Sequence, residues 1–390
     1  MTKEQLRNII IFFFCCGLTL IISGCKSINS SKKFDNKNSK ANTEELPYEE
    51  LTTESKKHYE HPVSPVTSPE KRTMASVSKE YLETLSPSAF NEIWGYLISG
   101  EDRFYSKDFP ITDIGYFGAG LSTFGKLVDA PPRSKVPETN ARVHMVVIDS
   151  GRALTHFCLD PEFKIRNTLI DSLIKASADY DGLQIDFELV SADDKEHYLS
   201  FLRELKSKLK PNQILSVAIP ARTKKLTYDA YDYEKIASIV DRIIVMAYDE
   251  HWSTSGPGPI ASVDWCKNVL AYAQSTIPRE KFIMGQSFYG RAWSNDNTAG
   301  AYKFSSIDRL FRGENAKGKL SDDTKISRVH IDNGIPTFTL SKEVTYTFYF
   351  DNAWSLSKRL KMYETAGVKG VSFWRFGQED SDIWKLIKLK

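Results

Sequence analysis

Eight short apolar runs recur along this chain of 390 residues, and their rhythm constrains the fold more than any other feature. The runs lie at Ile93 to Ser99, Asp113 to Gly118, Val143 to Ile148, Gly182 to Glu188, Ile214 to Ile219, Ile243 to Ala247, Phe282 to Ser287 and Val371 to Phe376. Between them stand helical patterns, clearest at Thr168 to Ala178, Asp194 to Leu209, Tyr233 to Ile239, Val263 to Ser275 and Asn352 to Glu364. The second of these carries Tyr198, Phe201, Leu202 and Leu205 at helical spacing, and Ser191 ahead of Asp194 predicts a capping box at its start. Strands that alternate with helices form parallel β/α units rather than a sandwich. Eight such units predict an α/β chain closed into a (β/α)8 TIM barrel, a fold that uses about 250 residues as one domain. The longest gap, from Ala292 to about Phe348, is rich in Asp, Asn, Gly and Lys and contains the alternating Thr337-Phe338-Thr339-Leu340. It predicts a small β-rich insertion, about residues 293 to 348, between the seventh strand and its helix. Reactions in such barrels occur at the C-terminal ends of the strands, so the insertion is expected beside the site.

The fourth run, Asp181-Gly182-Leu183-Gln184-Ile185-Asp186-Phe187-Glu188, places acid groups where a buried strand should carry only apolar ones. Side chains alternate along a strand, so Leu183, Ile185 and Phe187 share one face, and Gln184, Asp186 and Glu188 the other. Desolvating neighbouring carboxylates costs several kcal/mol unless they are paired, hydrogen-bonded or protonated, which marks the row as functional. Glu188, last of the inward set, is expected at the mouth of the barrel as a general acid. The Asp186 charge beside it would raise its proton affinity, and the two would titrate together.

The segment resembles the signature of the family 18 glycoside hydrolases, the chitinase family, whose fourth barrel strand reads Asp-Gly-x-Asp-x-Asp-x-Glu. Asp181, Gly182, Asp186 and Glu188 match, and Gln184 stands where the family usually has Asp. Ile244-Val245-Met246-Ala247-Tyr248-Asp249 resembles the Met-x-Tyr-Asp of the sixth strand. Gly285-Gln286-Ser287-Phe288-Tyr289-Gly290-Arg291 resembles the seventh-strand Gly-x-Pro-x-Tyr-Gly-Arg, with Ser287 in place of Pro. Gly370-Val371-Ser372-Phe373-Trp374 resembles the eighth strand, and Trp94-Gly95-Tyr96 is compatible with the first. The third strand, Val146-Val147-Ile148-Asp149-Ser150-Gly151, departs from the Ser-x-Gly-Gly of typical chitinases. Gln184 and the stretch Trp374-Arg375-Phe376-Gly377-Gln378-Glu379-Asp380 look more like the peptidoglycan-acting branch, including spore-cortex N-acetylglucosaminidases.

The resemblance implies a retaining hydrolase that cleaves β-1,4 bonds after N-acetylglucosamine by substrate-assisted catalysis, the sugar's own acetamido oxygen acting as nucleophile. It assigns catalysis to Glu188 as acid, Asp186 as the group that orients and polarises the acetamido, and Tyr248 as its hydroxyl anchor. Gln184, Met246, Asp249, Tyr289, Arg291, Trp374 and Tyr96 are implied to line the sugar site, with Trp374 as its apolar floor. Gln184 is expected to hydrogen-bond Asp186. No cofactor and no metal are implied; His251 after the sixth strand reads as a polar loop residue. The alternative reading, carried by Gln184, is a catalytically silent sugar-binding barrel, a lectin.

The first residues read as a targeting segment. Lys3 and Arg7 form a basic start, Ile9 to Ile22 an apolar run too short to span a membrane comfortably, and Ser23-Gly24 puts small residues before Cys25. Ile22-Ser23-Gly24-Cys25 resembles a bacterial lipobox, which predicts a lipoprotein signal peptide over residues 1 to 24 and lipid on Cys25. Residues 25 to 85 lack apolar clustering and include His61-Pro62-Val63-Ser64-Pro65-Val66-Thr67-Ser68-Pro69, which predicts a flexible tether. A coil of that length spans ~40 to 45 Å on average. The catalytic barrel is expected over residues 86 to 390, held at the cell envelope outside the cytoplasm. With 52 Lys and Arg against 50 Asp and Glu the chain is nearly neutral, which argues against nucleic acid as a partner. An N-acetylglucosamine-containing glycan, the membrane through Cys25, and a monomeric state complete the expectation. Cys158 and Cys266 fit neither a disulfide framework nor a zinc spacing and read as buried thiols.

Overall fold

The computed structural model describes residues 79–296 and 298–390. The expected signal peptide, Cys25 and most of the expected tether lie outside these residues. Eight parallel strands close into a barrel: β1 (Glu92–Ile98), β2 (Asp113–Leu121), β3 (Arg142–Asp149), β4 (Gly182–Phe187), β5 (Ile214–Pro220), β6 (Arg242–Met246), β7 (Phe282–Ser287) and, after an insertion, β12 (Gly370–Trp374). Each strand pairs with the next, β12 pairs with both β7 and β1, and β1 pairs with β2, so no edge is left open. The eight expected runs coincide with these strands to within a few residues, because each is an apolar segment buried on both sides.

Helices pack around the outside: α1 (Arg152–Leu159), α2 (Lys164–Ala176), α3 (Lys195–Lys208), α4 (Tyr233–Ala237), α5 (Val263–Thr276) and, beyond the insertion, α7 (Ala353–Thr365). The α3 pattern read from sequence is its buried face, with Tyr198, Phe201, Leu202 and Leu205 fully covered. Burial of such side chains stabilises by ~1.5 to 3 kcal/mol each. Phe201 stacks on Phe187 of β4 at 5.9 Å, so the outward face of the acidic strand is fastened to its own helix. The expected capping box does not form: Ser191 makes no side-chain cap bond, and the Asp194 carboxylate instead receives His156 and His197 at 2.7 and 3.3 Å. The imidazole partners outcompete the local cap. Helix α1 is not among the patterns read from the sequence. The expected tether ends early, since Lys79–Glu83 is helical and Leu82 and Leu85 pack on the core.

Polar residues gather at the N-terminal end of the barrel. Arg242 forks onto Glu92 at 2.8 and 2.6 Å, Arg142 onto Asp113 at 2.8 and 2.8 Å, and His144 meets Asp113 at 2.8 Å. The His144 ring also explains Gly182, because a Cβ there would stand 2.2 Å from His144 Nδ1 and 2.6 Å from the Ile214 carbonyl. Above this layer Trp94, Ala218, Ile244 and Ile283 fill the bore, so the interior is a packed core.

The insertion begins at Tyr289, earlier than the expected residue 293, and directly continues β7. It comprises β8 (Tyr289–Ser294), β9 (Ala299–Lys303), α6 (Phe304–Phe311), β10 (Ile335–Ser341) and β11 (Thr345–Tyr349), with shorter strands at its edge. Its sheet has a core of its own, in which Phe338 stacks on Phe348 at 4.7 Å under Ile307 and Phe311 of α6. Asp351 fastens the chain where it returns to the barrel: the buried carboxylate accepts from Arg359 at 2.8 Å and from Ser355 at 2.6 Å.

Candidate active site

Strand β4 sends its alternate side chains into the bore as expected. Leu183, Ile185 and Phe187 belong to the outer core, while Gln184 and Asp186 are buried inside the barrel. The strand ends at Phe187, so Glu188 is the first residue beyond it, half-buried at the rim with its amide bonded to the Asp149 carbonyl at 2.9 Å. Burial, then the charges of Asp249 and Asp149, raise the Glu188 carboxyl to about 7. Glu188 thus stands at the rim and interacts with the Asp186 carboxyl, as the alternation along β4 predicts, and closure of the barrel adds the charges of Asp249, after β6, and Asp149, at the end of β3. Asp186 is itself held far above the usual carboxylate range, by burial first and by the Glu188 charge second.

Gln184 departs from expectation. Its Oε1 accepts from the Tyr96 hydroxyl at 2.7 Å and its Nε2 donates to Ser216 Oγ at 3.0 Å, so both ends of the amide are taken and no bond to Asp186 forms. Asp186 Oδ1 is buried without a hydrogen-bond partner. Tyr96 and Gln184 lie beneath the rim, at 4% and 0% exposure, and support the site from below. Ser216, one strand across from Gln184, carried no sequence signal, because a lone Ser in an apolar run acquires a role only through its neighbour.

Trp374 ends β12 at the rim, with Tyr96 at 5.4 Å and Phe117 at 4.8 Å edging its ring. Tyr248 stands just past β6, its ring edge-on to that of Tyr289 at 6.4 Å. Gly285 makes room for it: a Cβ there would lie 3.2 Å from the Tyr248 ring and 2.8 Å from the Val245 carbonyl. Met246 closes β6 against the apolar layer below. The next turn places Asp249 at φ 59°, a left-handed conformation in which its carboxylate meets the Tyr289 hydroxyl and Arg291 Nη2, the latter at 3.1 Å. Tyr289 and Arg291 reach it from alternate positions of β8, so the insertion supplies one wall of the site. Trp293, two residues further, donates to the carbonyls of Trp252 and Ser255 at 3.2 and 3.1 Å and ties that wall to the loop after β6. His251 is bound into the same loop through Pro259, at 3.0 Å from its carbonyl.

Asp149 is a further acid that the sequence reading left without a role. It ends β3, is 6% exposed, and its Oδ2 accepts from the Gly151 amide at 3.1 Å. Burial raises it to about 6 against the pull of the Gly151 and Ser150 amides. Its signal is positional only, an acid at a strand's C-terminal end.

The residues on β4, β6, β7 and β12 that carry this site fall within one contiguous match, residues 156–379, to the Glycosyl hydrolases family 18 profile. The chain belongs to this family. Among family 18 relatives, the cortical fragment-lytic enzyme of Bacillus anthracis is 26% identical over 232 residues, which cover 57% of this chain and 53% of that protein. The uncharacterized glycosylase YvbX of Bacillus subtilis (strain 168) is 28% identical over 218 residues, 54% of this chain and 61% of that protein. The chain thus spans little more than half the length of these relatives. In structure it is similar to the Bacillus cereus spore cortex-lytic enzyme SleL, with a TM-score of 0.67, 23% identity and coverage of 78% of this chain and 76% of that one. That likeness speaks for the fold. The profile match begins beyond β1 to β3, where the sequence departs from the family's third-strand pattern.

Proposed function

We propose that the barrel is a retaining glycosidase that cleaves β-1,4 bonds after N-acetylglucosamine, in peptidoglycan fragments or chitin-type oligosaccharides, by substrate-assisted catalysis. The observation that carries this reading is Glu188: a half-buried carboxyl at the rim of β4, held to about 7 and therefore protonated in about half of the molecules at neutral pH. Such a group can hand a proton to a glycosidic oxygen. In this reading none of the neighbouring acids is the nucleophile. Asp186 shares Glu188's side of the site, Asp249 is engaged by Tyr289 and Arg291, and Asp149 by the Gly151 amide. A nucleophile supplied by the substrate's own acetamido group fits that arrangement, and it is one of the exceptions to the two-carboxylate scheme.

In this reading Glu188 protonates the leaving oxygen, Asp186 orients the acetamido group, and the Tyr248 hydroxyl holds its oxygen as charge develops there. Trp374 offers an apolar face to the sugar ring, and Asp249, Tyr289 and Arg291 bind its hydroxyls. Chain similarity to a cortical fragment-lytic enzyme favours peptidoglycan fragments among the candidate glycans. Lipid on Cys25 would hold the barrel at the envelope, outside the cytoplasm, as a monomer.

The test uses paired oligosaccharides, identical except for an N-acetyl group or a free amine on the sugar at the cleavage site. Hydrolysis of the acetylated member alone, with inhibition by a thiazoline mimic of the cyclised intermediate, is the expected result. Efficient cleavage of the amine would contradict the mechanism, and binding of the acetylated glycan without turnover would leave a lectin.

A further inference from the structure

The bore of the barrel beneath the acids is crossed by a chain of hydrogen bonds that runs from β1 through β4 to β5. The Tyr96 hydroxyl donates to Gln184 Oε1 at 2.7 Å, and Gln184 Nε2 donates to Ser216 Oγ at 3.0 Å. The three side chains are 4%, 0% and 0% exposed. Both partners are hydroxyls that can donate or accept, and in the arrangement adopted here the amide oxygen faces β1 and its nitrogen β5. Tyr96 spends its one proton on Gln184, and the Gln184 nitrogen is turned toward β5. One residue up the same face, Asp186 Oδ1 is left buried without a hydrogen-bond partner.

A buried carboxylate is tolerated when two or three donors satisfy it, and without them the neutral acid is the stable form. Here the phenol and amide donors of the layer beneath are directed to each other and to Ser216. We propose that Ser216 is a positioning residue: by fixing the Gln184 amide against β5, with Tyr96 holding the other end, it withholds donors from Asp186 and keeps that carboxyl neutral in the empty site. The titratable groups that interact electrostatically with Asp186 are Glu188 on its own strand, Tyr96 on β1 and Tyr248 after β6 within the site, and Tyr198 on α3 and Tyr231 after β5 from the outer core. No Lys, Arg or His is among them, so the direction of the amide is the adjustable element. The inference takes Asp186 as the acetamido-orienting group of the reading above, yet the proton state of the empty site can be measured without turnover.

The experiment is a carbon-13 titration of the aspartate carboxyls in the intact protein, with the Asp186 signal identified by its loss in Asp186→Asn. In the parent, Asp186 should remain protonated through neutral pH. Ser216→Ala frees Gln184 Nε2 to turn toward Asp186, and a new hydrogen bond to the charged form should lower the Asp186 midpoint by about one pH unit or more. Ser216→Thr keeps the acceptor oxygen and should titrate as the parent does. An Asp186 that is ionised at neutral pH in the parent overturns the proposal whatever the variants do. A Ser216→Ala protein that folds and titrates unchanged also overturns it. Because the signal is read without substrate, failure of hydrolysis would not imitate either result.

Discussion

Replacing Glu188 by Gln tests whether the raised carboxyl is the working acid. A carboxyl of ordinary affinity, 4.5, would be protonated in about one molecule in 300 at pH 7, whereas a group at about 7 is protonated in about half. The environment of the β4 rim therefore increases the acid form by ~150-fold at neutral pH. General acid catalysis by a positioned group is worth about two to four powers of ten, and Gln retains the shape and hydrogen-bonding capacity without the proton. Glu188→Gln should lower kcat by that factor while glycan affinity stays near the parent's. The sign of the pH dependence follows: the acid must carry its proton, so parent kcat/KM should fall as pH rises through about 7. The assay is release of reducing ends from an N-acetylated oligosaccharide across pH 4 to 9, beside binding measured calorimetrically. A parent whose basic limb lies near the ordinary carboxyl value, or a Gln variant with undiminished turnover, would refute the reasoning.

Tyr248→Phe should slow hydrolysis by about tenfold to a thousandfold through loss of one hydrogen bond made in the transition state, read as kcat with the same oligosaccharide. Arg359→Met removes the partner of Asp351 where both side chains are fully buried, and the stranded charge should cost about 3 to 5 kcal/mol in a denaturant melt. A loss below about 1 kcal/mol there would mean that the pair does not fasten the insertion's return. Mature protein from the membrane fraction should begin at Cys25 and carry lipid by intact mass; an unmodified soluble chain, or Cys25→Ser that is still lipid-modified, would contradict the anchor.

Much of this protein is legible along the chain because two of its signals are local. The period-2 alternation of β4 sorts Leu183, Ile185 and Phe187 from Gln184 and Asp186 with no knowledge of neighbours, and eight apolar runs separated by helical spacing specify the closed barrel. Motif residues at strand ends, such as Tyr248, Asp249 and Trp374, then fall at one rim because all eight strands run parallel. What the sequence could not decide is which side chains from different strands share a hydrogen bond. Gln184 reads as a partner for Asp186, two residues away, yet the bore offers it Tyr96 and Ser216, distant in sequence, and they take both ends of the amide. Glu188 reads as perturbed by Asp186 alone, yet closure of the barrel brings Asp249 and Asp149 to it as well. Ser191 reads as a cap, yet Asp194 finds His156 on α1. In each case residues far apart in sequence are brought to hydrogen-bonding or Coulombic distance only when the strands close, so periodicity places the acids, and tertiary packing sets their proton states.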